Sequence, residues 1–157
     1  MTIIIRGAEA KDLPELGALA GQLVRQHYDF DAQRFMLIPD VERGYARFFA
    51  GELSNPDAVI LAAEQSGVLV GYAYARLEAR DWNALLDACG ALHDIFVAES
   101  ARRQGVARRL VQAARERLQG KGAPRVVLHT ASKNQAARQF FAALGFRETM
   151  IELTAEL

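Results

Sequence analysis

The sequence predicts an α/β (α+β) fold in which a mixed sheet carries helices on its faces. Three observations predict it. A β-branched segment, Thr2 to Arg6, is followed by Gly7, as a strand and its turn would be. Ser66-Gly67 separates two strand-like segments, 59–64 and 68–78, which is the composition of an antiparallel hairpin. Segments with apolar residues at helical spacing lie before and after that hairpin, so helices must pack on the sheet.

Each further element has its own local signal. Leucine, alanine and valine recur on one face between Leu13 and Val24, which predicts a helix, and a second helix is expected from about Pro39 to Leu53. The remaining elements, in chain order, are a strand from Ala91 to Val97, a helix from Val106 to a C-terminal glycine at Gly120, a strand from Arg125 to Thr130, a helix with an apolar face between Ala136 and Leu144, and a last strand from Phe146 to Leu153. The predicted order is therefore β-α-α-β-β-β-α-β-α-β.

Length and composition restrict the classes of function. The 157 residues, 51% of them hydrophobic, suit one domain over residues 1–157. The formal net charge is zero, so no global field attracts nucleic acid or an anionic membrane, and neither is expected as a partner. Cys89 is the only cysteine, which excludes an intrachain disulfide and a thiolate-rich zinc site, and no metal is implied. Because the sequence shows no signal-peptide pattern and no membrane-length apolar segment, we expect a cytoplasmic protein.

The most informative segment connects the strand that ends at Val97 to the following helix. Gly105 and Ala107 let the backbone approach a ligand closely, and free peptide N–H groups at a helix N-terminus form an anion site suited to a pyrophosphate. Arg102, Arg103 and Arg108 add positive charge. The segment lacks the Lys-Ser/Thr ending of a nucleotide P-loop and the three-glycine dinucleotide fingerprint, which disfavours ATP and NAD.

Two motifs carry a resemblance to a known family. Arg102-Arg103-Gln104-Gly105-Val106-Ala107 resembles the acetyl-CoA-binding Arg/Gln-x-x-Gly-x-Gly/Ala signature of the GNAT superfamily of N-acetyltransferases. Asn134-x-x-Ala137-x-x-Phe140-Phe141-x-x-x-Gly145-Phe146 is similar to the downstream helix of that family and its terminal Gly-Phe. Together they cover about residues 92–146.

The resemblance implies a fold and a cofactor site. The central sheet would be mostly antiparallel, and the strands at 91–97 and 125–130 would splay apart around the pantetheine arm of acetyl-CoA, the co-substrate. The backbone of the 102–107 loop would bind the pyrophosphate. The residues expected to contact the cofactor are Phe96, Val97, Arg102, Arg103, Gln104, Gly105, Val106, Ala107, Arg108, Asn134, Ala137, Phe140 and Phe141.

The reaction that the resemblance implies is direct attack of a primary amine on the thioester. The backbone N–H of Val97 would stabilise the oxyanion, and an ammonium must first lose a proton to a base. Simple alternation along the strand places His93 with Val97 on one face and Asp94 with Phe96 on the other. His93 is the first candidate base and Asp94 the second, although a histidine in this position can also be a half-buried strand residue.

The sequence departs from the family at Phe141, where many members carry a tyrosine thought to protonate the departing thiolate. Phenylalanine cannot donate a proton, but a thiolate is a fair leaving group and water can protonate it. Tyr72, Tyr74 and Ser132 are possible substitutes for the missing tyrosine.

The acceptor is the least predictable part. The resemblance places its site in residues 26–40 and 80–90, where acidic and aromatic side chains would suit a cationic amine, in a small molecule or a peptide. These side chains are Tyr28, Asp29, Phe30, Asp31 and Trp82. A homodimer is possible by family habit. Two other functions stay open: a non-catalytic acyl-CoA-binding module, and a nucleic-acid-binding domain, which the zero net charge disfavours.

Overall fold

A five-stranded sheet forms the centre of the computed structural model, which describes residues 2–157. The strands and helices, in chain order, are β1 Ile3–Gly7, α1 Leu13–Phe30, α2 Val41–Glu52, β2 Ala58–Gln65, β3 Val68–Glu78, β4 Cys89–Val97, α3 Val106–Gly120, β5 Val126–Leu128 and α4 Gln135–Ala143. The sheet order is β1-β2-β3-β4-β5, and every pair is antiparallel except β4–β5, which is parallel. The expected mixed, mostly antiparallel sheet is confirmed.

The hairpin of β2 and β3 has the turn that its sequence predicts. Ser66 and Gly67 both have positive φ angles, 52° and 79°. Two successive residues with positive φ are typical of the tight turns whose twist matches that of the flanking strands. This turn fixes the register of β2 against β3.

The sheet separates two apolar cores. On one face, side chains such as Leu61 and Leu92 pack against Leu110 of α3 and Phe141 of α4. The other face packs against α1 and α2, and its core contains Leu16, Leu19, Ala20, Phe49, Ile60, Ala62, Leu69, Tyr72, Tyr74 and Phe96. The expected helices on both faces are thereby confirmed.

A glycine lets α1 and α2 approach closely. A Cβ atom on Gly17 would lie 2.4 Å from the carbonyl oxygen of Glu42 and 3.2 Å from the Cβ of Ala46. No larger side chain fits there without moving one helix. The position of α2, which carries part of the site described below, therefore depends on Gly17.

A β-bulge interrupts the pairing of β3 with β4. Tyr74 pairs with Asp94 and Ala75 pairs with Leu92, so His93 is the extra residue of β4. The inserted residue turns its side chain to the face that carries Asp94. The alternation expected from the sequence, with His93 on the face of Val97, is therefore wrong.

β4 and β5 separate soon after they pair. Gly90, Ala91 and Leu92 pair with residues 126–128, whereas residues 93–97 of β4 have no strand on that side within the described part of the chain. One edge of β4 is open over its second half. The splayed central strands that the resemblance implied are confirmed.

The prediction of a last strand over residues 146–153 is wrong. Within residues 2–157 this segment pairs with no strand, and Met150, Ile151 and Leu153 are 81%, 84% and 90% exposed. Apolar residues alternate with glutamates on the side that Phe146 and Met150 would share, so no continuous apolar face exists to pack on the sheet. Both glutamates form ion pairs elsewhere, Glu148 with Arg138 and Glu152 with Arg34.

Candidate active site

The N-terminus of α3 forms an open cradle of backbone amides. Gly105 precedes the helix with a φ of 76°, and no side chain caps this helix end. A Cβ atom on Gly105 would meet nothing within 4 Å, so the space in front of the loop is free. Unpaired N–H groups and the positive end of the helix dipole face that space. The cradle fits an anionic group such as a pyrophosphate.

The arginines of this loop have different tasks. Nε of Arg102 donates to the carbonyl oxygen of Val97 at 3.1 Å, and its guanidinium lies 5.7 Å from the ring centre of Phe96. Arg103 and Arg108 are exposed beside the cradle. Because Arg102 holds the end of β4, the exposed Arg103 and Arg108 are better placed to meet phosphate oxygens.

The remaining loop residues shape the cradle through their backbone. Val106 is 2% exposed and anchors the first turn of α3 in the core, and Ala107 is half-buried. Gln104 donates to the carbonyl of Ser100 and accepts from Gln65, each at 3.3 Å. These contacts tie the loop to its own turn and to the end of β2.

The amide of Val97 points into the gap between β4 and β5. The neighbouring amide, that of Ala98, donates to the carbonyl oxygen of Val70 on β3 at 2.8 Å. Successive amides of an extended strand point to opposite edges, so the N–H of Val97 faces the open edge. No strand of residues 2–157 pairs with this part of the edge, so the Val97 amide is not used in the sheet.

Gly71 of β3 lets the strands come together at this point. It pairs with Val97, and a Cβ atom on it would lie 2.9 Å from the carbonyl oxygen of Phe96 and 3.3 Å from the side chain of Val97. The sequence interpretation missed this residue. Its only signal was a glycine inside a strand, which often marks a close backbone approach.

The helix α4 packs in the same apolar core as α3. The side chain of Asn134 accepts from the amide of Ala137 at 3.1 Å and caps the helix. Phe140 is half-buried, and Phe141 is 7% exposed, with its ring edge-on to Phe140 and Phe146. Phe141 is thus a core residue, and Asn134 keeps its two amide N–H donors and a second oxygen lone pair for a ligand.

His93 is held between two residues of β3. Its Nε2 atom lies 2.7 Å from Oε1 of Glu78, and its ring stacks on that of Tyr74 at 5.5 Å with an angle of 26° between the planes. The His93 side chain is 42% exposed. The imidazole is therefore fixed in orientation yet accessible.

Asp94 lies next to His93 and is bonded to a buried tyrosine. The hydroxyl of Tyr72 donates to Oδ2 of Asp94 at 3.0 Å. Burial raises the pKa of Asp94, against the opposing effect of the Tyr72 hydrogen bond. Burial, with the Asp94 charge as a further cause, also raises the pKa of Tyr72 well above its ordinary value. The Asp94 carboxylate therefore gains and loses its proton at a higher pH than an ordinary aspartate does.

Tyr74 is committed to another carboxylate. Its hydroxyl donates to Oε2 of Glu52 at 2.5 Å, and Arg76 lies 3.6 Å from the same oxygen. Burial and the Glu52 hydrogen bond raise the pKa of Tyr74, while the bond from Tyr74 lowers the pKa of Glu52. Neither Tyr72 nor Tyr74 is therefore a ready proton donor for a thiolate. Ser132, the third possible substitute, is exposed just before α4.

Comparisons with known proteins show the family of this chain. The family model described as Acetyltransferase (GNAT) family matches residues 23–146. The chain belongs to the GNAT acetyltransferase family. The uncharacterized N-acetyltransferase YhfO of Bacillus subtilis is 29% identical over 144 residues, which are 92% of this chain and 89% of that protein. Aminoglycoside N(6')-acetyltransferase type 1 of Klebsiella aerogenes is 31% identical over 103 residues, 66% of this chain and 68% of that protein.

Solved structures share the fold. The aminoglycoside N-acetyltransferase AAC(6')-Iy in complex with CoA superposes with a TM-score of 0.81 at 24% identity, covering 99% of this chain and 95% of that one. A tetramutant of the BH1408 protein from Bacillus halodurans gives a TM-score of 0.83 at 18% identity and covers 98% and 99% of the two chains. The chain is thus a GNAT-family acyltransferase by sequence and has the fold of GNAT acetyltransferases.

The acceptor residues expected in this GNAT chain are only partly assembled. Trp82 is 76% exposed, but the guanidinium of Arg80 from the same loop lies 5.3 Å from its ring centre. Tyr28 and Asp29 are exposed at the end of α1, and the side chain of Asp31 accepts from the amide of Gln33 at 3.2 Å. Asp31 is therefore used in a local turn.

The groups that the fold does bring together lie on the face of α1 and α2, beside His93. Three carboxylates and one guanidinium surround it: Glu52, Glu78, Asp94 and Arg76. The sequence interpretation missed Glu52 and Glu78. Alternation along β3 places Tyr72, Tyr74, Arg76 and Glu78 on one face, which was a usable signal for Glu78.

No helix within residues 2–157 is long and apolar enough to cross a membrane. The same part of the chain holds no group of three or more histidine, cysteine, aspartate or glutamate side chains arranged to bind a metal ion.

Proposed function

We propose that this chain is an N-acetyltransferase that transfers the acetyl group of acetyl-CoA to a primary amine, by direct attack in a ternary complex. Two neighbouring features carry the proposal: the amide of Val97 faces the open edge of β4, and the α3 helix that follows β4 begins without a side-chain cap. An anion cradle and an oxyanion donor on one open strand edge suit a thioester that is attached to a pyrophosphate.

The proposed cofactor contacts follow the gap. Backbone amides from Gln104 to Ala107 hold the pyrophosphate, and Arg103 and Arg108 neutralise its charge. The open edge of β4, from Phe96 to Val97, pairs with the amide groups of the pantetheine arm. Asn134, Ala137, Phe140 and Phe141 border the opposite side. Arg102 acts by holding the carbonyl of Val97, which is the contact it makes.

The proposed chemistry needs one base and one oxyanion donor. His93 is the first candidate for the base, because its imidazole is accessible and fixed. Asp94 is the second, since burial raises its pKa toward the range in which a base works. The amide of Val97 stabilises the oxyanion, and the departing thiolate takes its proton from the amine, directly or through water, because Phe141 cannot donate one as a family tyrosine would.

The acceptor is proposed to be a small-molecule or peptide amine. Two of the similar proteins are aminoglycoside acetyltransferases, which supports a small cationic amine. The carboxylates around His93 also favour a cation on this face. Neither nucleic acid nor a membrane is proposed as a partner, and the zero net charge supports this.

A non-catalytic acyl-CoA-binding module is the second candidate. It is favoured by one observation, the buried Phe141 in place of a proton-donating tyrosine. This module would bind acetyl-CoA tightly and release no thiol with any amine.

Thiol release from acetyl-CoA separates the two candidates. The purified chain is tested with polyamines, amino acids, aminoglycosides and short peptides, and acetyl-CoA binding is measured in parallel by calorimetry. Release with one amine class supports the transferase and names its acceptor. Tight binding of acetyl-CoA without release across the panel favours the module, and no binding at all overturns both.

Two further properties are proposed. Exposed Met150, Ile151 and Leu153 support a homodimer, because such residues are usually covered in an assembly, and sedimentation at several concentrations tests it. A cytoplasmic location is supported by the single, unpaired Cys89 and is tested by cell fractionation.

A further inference from the structure

We propose that Glu78 is a positioning residue for His93, which fixes the imidazole so that its Nδ1 atom accepts the proton of the acceptor ammonium. This inference rests on the acetyl transfer proposed above. Glu78 is at the end of β3, and alternation along that strand places it on the face of Tyr72 and Tyr74 without indicating a role. Its assignment comes from the geometry around the bulge.

The bulge brings His93 to Glu78. Without the extra residue, His93 would lie on the face of α3 and α4, away from Glu78 of β3. With it, the ring lies over Tyr74 and its Nε2 atom is 2.7 Å from Oε1 of Glu78. Stacking fixes the plane of the ring, and the hydrogen bond fixes its rotation in that plane.

The hydrogen bond also selects the tautomer. A carboxylate only accepts, so Nε2 must carry the proton, and the lone pair of the neutral ring is then on Nδ1. When Nδ1 takes a proton, the positive charge of the ring lies next to Glu78. A carboxylate in this position orients a histidine base.

The charges around His93 come from three elements. On β3, Arg76 lies 3.4 Å from the same oxygen of Glu78 and 3.6 Å from Glu52. On α2, Glu52 interacts with the His93 charge, and on β4 Asp94 does so as well. Glu52 is bonded to Tyr74 and Asp94 to Tyr72, so Glu78 is the carboxylate that bonds the imidazole itself.

The proton balance of the step is simple. The acceptor ammonium gives one proton to Nδ1 of His93, and the nitrogen lone pair forms a bond to the thioester carbonyl carbon. The C–S bond breaks, and the departing thiolate takes the second proton of the amine, directly or through water. The imidazolium then releases its proton to water, so one proton is produced for each acetyl group transferred.

A double-mutant cycle tests the inference in the full chain. Glu78→Ala is expected to lower kcat/KM by about 10- to 100-fold, with affinity for acetyl-CoA within about twofold of wild type. Glu78→Gln keeps an oxygen acceptor for Nε2–H, so its kcat/KM is expected to be closer to that of the wild type than to that of Glu78→Ala. In a His93→Ala background, Glu78→Ala is expected to add little, because the residue it positions is gone. Glu148→Ala removes an exposed glutamate paired with Arg138 and serves as the control, with unchanged activity expected.

Ring nitrogen NMR gives a readout that is independent of turnover. In the wild type, the signals absent from His93→Ala are expected to show one tautomer, protonated at Nε2, and Glu78→Ala is expected to give a mixture. If the wild type is active but Glu78→Ala keeps the wild-type tautomer or the wild-type activity, this inference is overturned and the proposed function is not. The inference is also overturned if Glu78→Ala lowers kcat/KM by the same factor in the His93→Ala background as in the wild type. A wild type without activity toward every amine would overturn the proposed function and this inference with it.

Discussion

The hydroxyl of Tyr72, a residue of the core between the sheet and α1 and α2, donates to Oδ2 of the half-buried Asp94 at 3.0 Å. Tyr72 is fully buried, and this is the bond that compensates Asp94 for the loss of water. Burial nevertheless raises the pKa of Asp94, so the ionised carboxylate costs folding free energy at neutral pH. A residue that is costly to keep charged, next to the proposed base, is a candidate for function.

Asp94→Asn should therefore be as stable as the wild type at pH 7, or more stable. Because the folded pKa is raised, the folded protein binds more protons than the unfolded chain between the ordinary and the raised pKa values, and the free energy of unfolding falls as pH rises through that window. The amide oxygen of Asn still accepts from Tyr72, and the pH-dependent cost disappears. Urea unfolding at a series of pH values checks this, together with acetyl transfer, which should fall. A clear loss of stability at pH 7 would contradict it.

Asp12→Asn should have the opposite effect on stability. Asp12 is 3% exposed and accepts from Arg6 at 2.7 and 2.9 Å, and these bonds lower its pKa. Its contribution is complete above the ordinary pKa of aspartate and is lost as pH falls through the lowered, folded value. We expect a loss of about 2 kcal/mol in the free energy of unfolding at pH 7, which becomes smaller in acid.

Glu148→Gln is the control for this prediction. Its carboxylate also forms an ion pair with an arginine, Arg138, but the side chain is 72% exposed. Exposed pairs contribute little because water and salt screen them. Urea unfolding of this variant should match the wild type, and equal losses in Asp12→Asn and Glu148→Gln would disprove the assignment to burial.

The sequence predicts the elements of this fold better than their register. Ser66-Gly67 and the 102–107 loop were recognisable because turns and helix starts depend on local residue types. The bulge at His93 was not, because an extra strand residue has no compositional sign and depends on the pairing with β3. The ion pair of Arg34 with Glu152 joins residues 118 positions apart, so the structure of residues 146–153 could not be predicted from neighbouring residues in the sequence.

Gly71→Ala should disturb the candidate active site by changing the packing of β3 against β4. Its new Cβ atom would lie 2.9 Å from the carbonyl oxygen of Phe96, a rigid backbone group, so β3 and β4 must separate near Val97. Overpacking of this kind costs about 1–3 kcal/mol. We expect that loss in urea unfolding and a lower kcat for acetyl transfer, because the amide of Val97 moves.

Gly44→Ala provides the matched change for Gly71→Ala. Gly44 is inside α2, and a Cβ atom there would meet nothing within 4 Å. Alanine in a helix interior is favoured over glycine by about 0.5–1 kcal/mol, so this variant should gain stability and keep its activity. If both variants lost stability equally, the close approach at Gly71 would not be the cause.

Gly105→Glu should severely weaken acetyl-CoA binding and leave the fold intact. The space in front of Gly105 is free, so the glutamate side chain fits, but it brings a negative charge to the amides proposed to bind the pyrophosphate. Its φ of 76° also strains any residue with a Cβ, and this strain must be separated from the effect of charge. Gly122→Glu makes the same substitution at a φ of 92°, beyond the other end of α3, again with nothing within 4 Å. We expect both variants to lose about 1–2 kcal/mol in unfolding, whereas only Gly105→Glu loses about 100-fold or more in affinity by calorimetry. Equal affinities in the two variants would place the pyrophosphate away from the N-terminus of α3, and the site would have to be sought elsewhere along the open edge of β4.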